Sequence, residues 1–312
     1  MSEPFDVVQA GRLPDTPPSQ RWLIEELWSS NSVGVVAGQP KACKSWLGLE
    51  MAVSVATATP CLGRFAVPRP GPCLVYLAED SPAMVRERLA ALCAHRGIDI
   101  NRLEVSIICA PALKLDNRLH VERLNATLKA HKPLMLLLDP LVRLHNRDEN
   151  SSTEISPVLD TLRVLQRAHE VCIVLVHHVR KVGASRAGQG LRGSSDIWAW
   201  GDSNIFISHQ NGRLKLTIEH RAAPAPHPVA FQLASDPPHL ALAQDGDPPP
   251  TLRQRIIEEL ARSSLPLNRT ELRKRLAVRN KHLGDTIEEL LASNILERTA
   301  GGLCLTQRAG PP

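Results

Sequence analysis

The sequence predicts an α/β fold with a mainly parallel sheet, followed by a small, separately folded helical tail. Three observations point to it. Apolar strand-like runs alternate with helical segments from about residue 21 to 235, the pattern of a parallel sheet covered on both faces. A glycine-lysine loop lies between the first apolar strand and the helix after it, where such a sheet receives its ligand. A Pro-rich stretch then separates this region from a segment of different periodicity.

Taken in order, residues 1–20 hold Pro4, Pro14, Pro17 and Pro18 without periodicity and read as a mobile lead-in. Arg21 to Trp28 is a short amphipathic piece suited to pack beside the first strand. Strands are expected at 33–37, 73–78, 104–109, 134–138, 171–176, 204–208, 214–219 and 229–233. Near-continuous apolar runs such as Leu134 to Leu138 belong in the middle of the sheet. The helix at 82–96 is the best marked: Ser81 caps it, Pro82 takes its first position and Gly97 stops it. Residues 21–235 thus form one domain, and 236–250, with Asp236-Pro237-Pro238 and Pro248-Pro249-Pro250, read as an extended linker. The tail, 251–308, reads as helices at about 252–262, 270–276 and 281–293, then two short strands around Gly301-Gly302. That order is a winged helix-turn-helix.

Composition narrows the setting. The 312 residues are enough for about two domains. No apolar run approaches the roughly 18–20 residues of a membrane span, and the first twenty residues lack a signal-peptide core. Seven cysteines show neither C-x-x-C nor zinc spacing, and several lie in apolar stretches, so a reduced cytoplasm is expected. Net charge is +5, a mild lean toward polyanions. With 3% aromatic residues, a stacking platform for bases is not the main binding device.

The chemistry starts at Gly38-Gln39-Pro40-Lys41-Ala42-Cys43-Lys44-Ser45, with Trp46 opening the helix. This is a phosphate-binding loop with one substitution. Backbone N–H groups and the helix N-terminus face phosphate, Lys44 neutralises β/γ charge, and the Ser45 hydroxyl reaches Mg²⁺. ATP and Mg²⁺ are therefore the expected ligands. Cys43 stands where the loop normally has glycine, whose lack of a Cβ lets the backbone approach phosphate. A thiol there, beside Lys44, is expected to have a depressed pKa.

Asp139 ends the strand at 134–138 and suits a carboxylate for the magnesium and its waters. Glu79 and Asp80 end the strand at 73–78. Glu79 is read as the base for the attacking water, and Asp80 or Ser81 as the cap of the next helix. His177 and His178 end the strand at 171–176, at the rim where a γ-phosphate would lie. The loop after them carries Arg180, Lys181, Arg186 and Arg192 among glycines and no acid, suited to tracking phosphates or to an ordinary flexible surface loop. In the tail, Arg279, Asn280 and Lys281 open the third helix, where base edges are reached. Glu288 and Glu289 at its far end keep protein docking open as the other reading.

The runs G-x-P-K-A-x-K-S-W-L, L-A-E-D-S, L-L-L-D-P-L-V-R-L, V-H-H-V-R-K and R-G-S-S, in this order, resemble RecA-fold ATPases of the RepA-type plasmid helicases and their phage relatives. The resemblance covers about residues 20–235. It implies a RecA-like core forming rings, usually hexameric, around single-stranded DNA, with ATP hydrolysed between subunits. It also implies Lys44 and Ser45 on the phosphates and Mg²⁺, Glu79 as base, Asp139 as the magnesium carboxylate, His178 as γ-phosphate sensor and the 179–192 loop in the DNA channel. Cys43 departs from the pattern. So does the missing arginine shortly after R-G-S-S, which leaves Arg221 as the candidate arginine finger or a plain surface residue. The expected activity is that of a DNA-acting ATPase, with single-stranded DNA in the ring and duplex at the winged helix. The alternative is a nucleotide-gated loader or regulator with weak turnover.

Overall fold

The computed structural model describes residues 5–13, 15, 17, 20–178, 195–210, 213–243, 251–263, 266–276, 278, 280–299 and 301–306. The chain divides into two compact units, Met1–Ala243 and Gln244–Pro312.

In the first unit the apolar run after Ser32 forms strand β3, Val33–Gly38, buried at every residue. Around it lie β4 (Cys73–Leu77), β5 (Val105–Ile107), β6 (Met135–Asp139) and β7 (Cys172–His178). The remaining strands of this sheet are β8 (Ser203–Gln210), β9 (Arg213–His220), β10 (Val229–Ser235) and β11 (Pro238–Leu242). They form one nine-stranded sheet in the order β11-β10-β9-β8-β3-β7-β6-β4-β5. The β8-to-β5 side is parallel, and β9, β10 and β11 fold back as antiparallel hairpins. One detail positions the site: β7 is inserted between β3 and β6, so the loop strand and the strand ending in Asp139 are not neighbours. Glycine is required in β3, because a Cβ at Gly34 would meet the Ser203 carbonyl oxygen at 1.7 Å.

Helix α1 (Lys44–Thr57) is buried along most of its length on one face of the sheet, against Val36, Val75, Leu137, Val174 and Val176. Helices α3 (Arg118–His131) and α4 (Ser152–His169) contribute to the core on the other face, with Val35, Leu136, Leu138, Ile173 and Leu175. This in-out alternation follows from the two-residue period of a strand. Helix α2 (Pro82–His95) starts as expected, with Pro at its first position and the Ser81 hydroxyl accepting from Met84 N–H at 3.3 Å. A short α5 (Ser195–Trp200) precedes β8.

One stretch is defined further by the structure and one differs from expectation. Residues 21–28 fall in a two-stranded ladder, β1 (Trp22–Ile24) with β2 (Trp28–Ser29), which buries Leu23, Ile24, Leu27 and Trp28. Pro238–Leu242, read from sequence as linker, is an edge strand pairing with β10 and burying Leu240. Proline is tolerated there because the first residue of an edge strand needs no N–H partner.

In the second unit, α6 (Leu252–Arg262), α7 (Arg269–Leu276) and α8 (Asn280–Ala292) precede β12 (Leu296–Thr299) and β13 (Gly302–Leu305). Thr251 and Gln254 close a capping box on α6. Leu267 bridges to Leu303, and Ile256, Leu272, Leu283 and Leu290 form a separate core. Among the described residues no helix is long and apolar enough to cross a membrane.

Candidate nucleotide site

Residues 39–43 turn from β3 into α1. Lys41 and Cys43 both take the left-handed conformation, with φ of 63° and 57°. Alternating handedness of this kind points successive N–H groups into one concavity, the geometry of an anion nest. The preference for glycine at position 43 therefore has a further cause, the handedness of the backbone, which costs an L-residue about 1–2 kcal/mol. The Cys43 thiol is also not the activated group expected from sequence. Burial pushes its pKa up, and neighbouring Lys44 offsets this only in part.

Lys44 is 4% exposed, and its Nζ donates to the Gln39 carbonyl at 2.7 Å. Burial lowers its pKa to about 8, against the opposing pull of Asp139. Asp139, 5% exposed, is raised to about 6 by burial, opposed by a hydrogen bond from Ser45 and increased by the charge of Asp80. Its Oδ2 is buried without a hydrogen-bond partner among the described residues. A buried carboxylate with one free oxygen and the Ser45 hydroxyl close by is a fitting donor set for Mg²⁺, a hard cation that favours oxygen ligands.

Glu79 and Asp80 follow β4, whose neighbour is β6. Arg143 Nε donates to Glu79 Oε1 at 2.7 Å, both side chains being about half exposed. Asp80 does not cap α2. It accepts two hydrogen bonds from Arg88, at 2.7 and 3.1 Å, and Arg88 lies over the Trp46 ring at 5.8 Å. Trp46 is thus packed under a guanidinium on the first turn of α1.

His178 is the last residue of β7 and stands beside Gly38 in the parallel register. It is half-buried, and its pKa is lowered by burial and then by Lys44, with Glu79 and Glu149 opposing. His177 faces the other side of the sheet and is 1% exposed. There Glu149 Oε1 lies 4.0 Å from its Nδ1 and 3.6 Å from His145 Nε2. Because Arg147 N–H donates to His145 Nδ1 at 3.1 Å, the neutral ring of His145 carries its proton on Nε2, toward Glu149. Sequence reasoning missed His145 and Glu149. The available signal was the tandem histidine itself, since alternation puts one of the two on the far face and demands a buried partner for it.

Within its own chain Arg221 lies away from this site, whereas the finger role expected of it is toward a neighbouring subunit's nucleotide. It pairs with Asp202 at 3.3 Å and donates to the Ala199 carbonyl, while Asp202 N–H bonds to Val33, at the opposite end of β3 from Gly38. Arg180, Lys181, Arg186, Arg192 and Arg279 lie outside the described residues, and Asn280 and Lys281 begin α8.

Solved structures with a similar fold include a KaiC-like protein from the hyperthermophilic archaeon Pyrococcus horikoshii OT3. It is 14% identical, with a TM-score of 0.48, over 71% of this chain and 94% of that one. The RadB recombinase is likewise 14% identical, with a TM-score of 0.49, over 67% of this chain and 90% of that one. A family model described as the AAA domain matches residues 2–184, the stretch that holds the phosphate loop, Glu79, Asp139 and His178. With a left-handed phosphate loop, a buried strand-end aspartate and a match across more than half its length, the chain belongs to the AAA domain family of P-loop ATPases.

Proposed function

We propose that this protein binds and hydrolyses Mg-ATP in a RecA-like core and uses the cycle to act on DNA, as a replicative helicase of the RepA type or a related motor. The single observation that carries the nucleotide reading is the convergence of Lys44, Ser45 and Asp139, with a buried Asp139 oxygen left free. Ser45 and Asp139 would hold magnesium, which supplies charge neutralisation at the phosphates. Gly38 to Lys44 cradle the β- and γ-phosphates, Glu79 takes the proton of the attacking water, and His178 senses the γ-phosphate.

The DNA reading is supported by the second unit. Three helices and a terminal hairpin, with Leu267 bridged to the hairpin, fit a winged helix-turn-helix whose α8 enters the duplex. The basic loop at 179–192 would face single-stranded DNA inside a homo-oligomeric ring, a hexamer by the sequence resemblance. The seven free cysteines support a reducing, cytoplasmic setting. A second reading, a nucleotide-gated loader with weak turnover, is favoured by the left-handed Cys43.

ATP turnover with and without single-stranded DNA, read alongside mass in solution, tests both. DNA-stimulated turnover by an oligomer supports the motor. Tight Mg-ATP binding with negligible turnover supports the loader, and no nucleotide binding overturns both.

A further inference from the structure

The phosphate loop carries two lysines, and the reading above uses the side chain of only one. Lys44 is buried, with its Nζ on the Gln39 carbonyl at 2.7 Å. Lys41, earlier in the same turn, is exposed. Its neighbour Ala42 is 1% exposed and donates its N–H to the Gln39 carbonyl at 3.3 Å, so the turn is pinned from inside while the Lys41 side chain stands at its lip. Lys41 also holds a φ of 63°, a left-handed conformation that glycine takes without strain and an L-residue does not. A side chain kept at a strained position in a ligand-binding turn points to a use for that side chain.

Charge at the site points the same way. Magnesium cancels only part of the charge on a triphosphate, and Asp139 and Glu79 add their own. The arginines that this rim carries among the described residues are committed to its acids, Arg88 to Asp80 and Arg143 to Glu79. No acid pairs with Lys41 among the described residues. Lys41 belongs to the nest that lines the phosphate concavity, so its long flexible stem needs only to fold back over that concavity. The nest and Lys44 enclose the inner phosphates, and the group that extends toward the exposed lip is the terminal one.

We propose that the Lys41 ammonium contacts a γ-phosphate oxygen of the nucleotide on its own loop, as the second cation of the site and the group that tells ATP from ADP. The inference rests on residues 38–45 binding phosphate. Charge on the γ-oxygens has to be stabilised in the transition state as well, so one contact serves both binding and turnover.

Isothermal titration of the full chain with Mg-ADP and Mg-AMP-PNP tests it, on wild type, Lys41→Met, Lys41→Arg and Lys41→Gly. Lys41→Met keeps an unbranched stem and removes the charge. It should weaken AMP-PNP about ten-fold, leave ADP within about two-fold, and lower ATP turnover by about one to two orders of magnitude. Lys41→Arg should keep most of the preference for the triphosphate. Lys41→Gly relaxes the left-handed turn yet removes the cation, so it should lose the preference as Lys41→Met does. A Lys41→Met protein that binds the two nucleotides in the wild-type ratio overturns the proposal, and so does a Lys41→Gly protein that keeps that ratio. Equal weakening of both nucleotides would make Lys41 a shaper of the loop and overturns it too. Where wild type turns over ATP, mixing Lys41→Met with Glu79→Gln copies should bring no recovery, because each copy's own site lacks one of the two groups. Recovery would assign Lys41 to a neighbour's nucleotide, against the proposal. A wild-type protein that binds neither nucleotide defeats the phosphate-loop reading itself, a result distinct from an unchanged ratio.

Discussion

His178 lies directly across the ladder from Gly38: the last residue of β7 is the parallel partner of the last residue of the strand that feeds the phosphate loop. Neighbouring strands run about 4.8 Å apart, so the backbone of His178 lies beside the residue that opens the loop. Its neighbour His177 is tied to the opposite face through Glu149. One strand end therefore carries a half-buried residue on the face of α1 and a buried anchor on the other face, side by side.

From this arrangement, His178→Ala is expected to lower ATP turnover by about one to two orders of magnitude while Mg-ATP still binds, as for loss of a contact made in the transition state. Glu149→Ala, which leaves two buried imidazoles without their acid, should instead lower the melting temperature. Steady-state kinetics, nucleotide titration and thermal unfolding check the split. Equal loss of affinity in His178→Ala would place the residue in ground-state binding.

Lys44 and Glu79 are expected to fail in different ways. Lys44→Ala removes a buried cation and should abolish Mg-ATP binding. Glu79→Gln keeps the shape of the rim and should leave ATP bound with turnover stopped. Isothermal titration of both variants decides the matter, and the same loss of binding in both would sink the assigned roles.

The buried charges set a pH signature. Asp139 is raised from its ordinary 3.8 to about 6, so the folded protein holds a proton where the unfolded chain has released it. Stability is then greatest below about 4 and is lost as pH rises through 6. Lys44, lowered to about 8, opposes folding while charged, and that cost is relieved only as pH rises above 8. The nucleotide-free protein should therefore be weakened near neutrality. Asp139→Asn should raise its melting temperature at pH 7 by about 2–6 °C and have little effect near pH 4. A variant no more stable than wild type at pH 7 would remove Asp139 from the buried site.

The main strands of the sheet were legible because β3, β6 and β7 are buried on both faces, and such strands are written as unbroken apolar runs. Lys44, Ser45 and Asp139 were legible because their chemistry fixes both residue type and position after a strand. Glu149 and His145 were not, since they meet His177 across an aperiodic stretch whose partners depend on tertiary packing. The short ladder of β1 and β2 is below the length at which alternation can be read. Glycine's usual role at position 43 was legible, but the left-handed backbone behind it was not.

Cys43 provides the next test. With burial raising its pKa, the thiol should alkylate more slowly at pH 7.5 than an exposed cysteine, and saturating Mg-ATP should slow it further. Cys43→Gly should keep Mg-ATP binding and raise turnover, since it removes a side chain from a left-handed position beside Lys44. Mass-spectrometric labelling rates and turnover assays read both effects. Labelling indifferent to nucleotide would mean the loop holds no phosphate.

The edge strand β11 has a practical consequence for cutting the chain. Its ladder with β10 runs from Pro238 to Leu242, and Ala243 N–H still bonds to the Ala230 carbonyl. A proteolytic or genetic cut after Ser235 would peel Leu240 from the core and leave β10 as a naked border, open to addition of a strand from another molecule. Clumping of such a fragment would report a misplaced cut rather than a dependence on the second unit. A cut after Ala243 preserves the selvedge of the sheet.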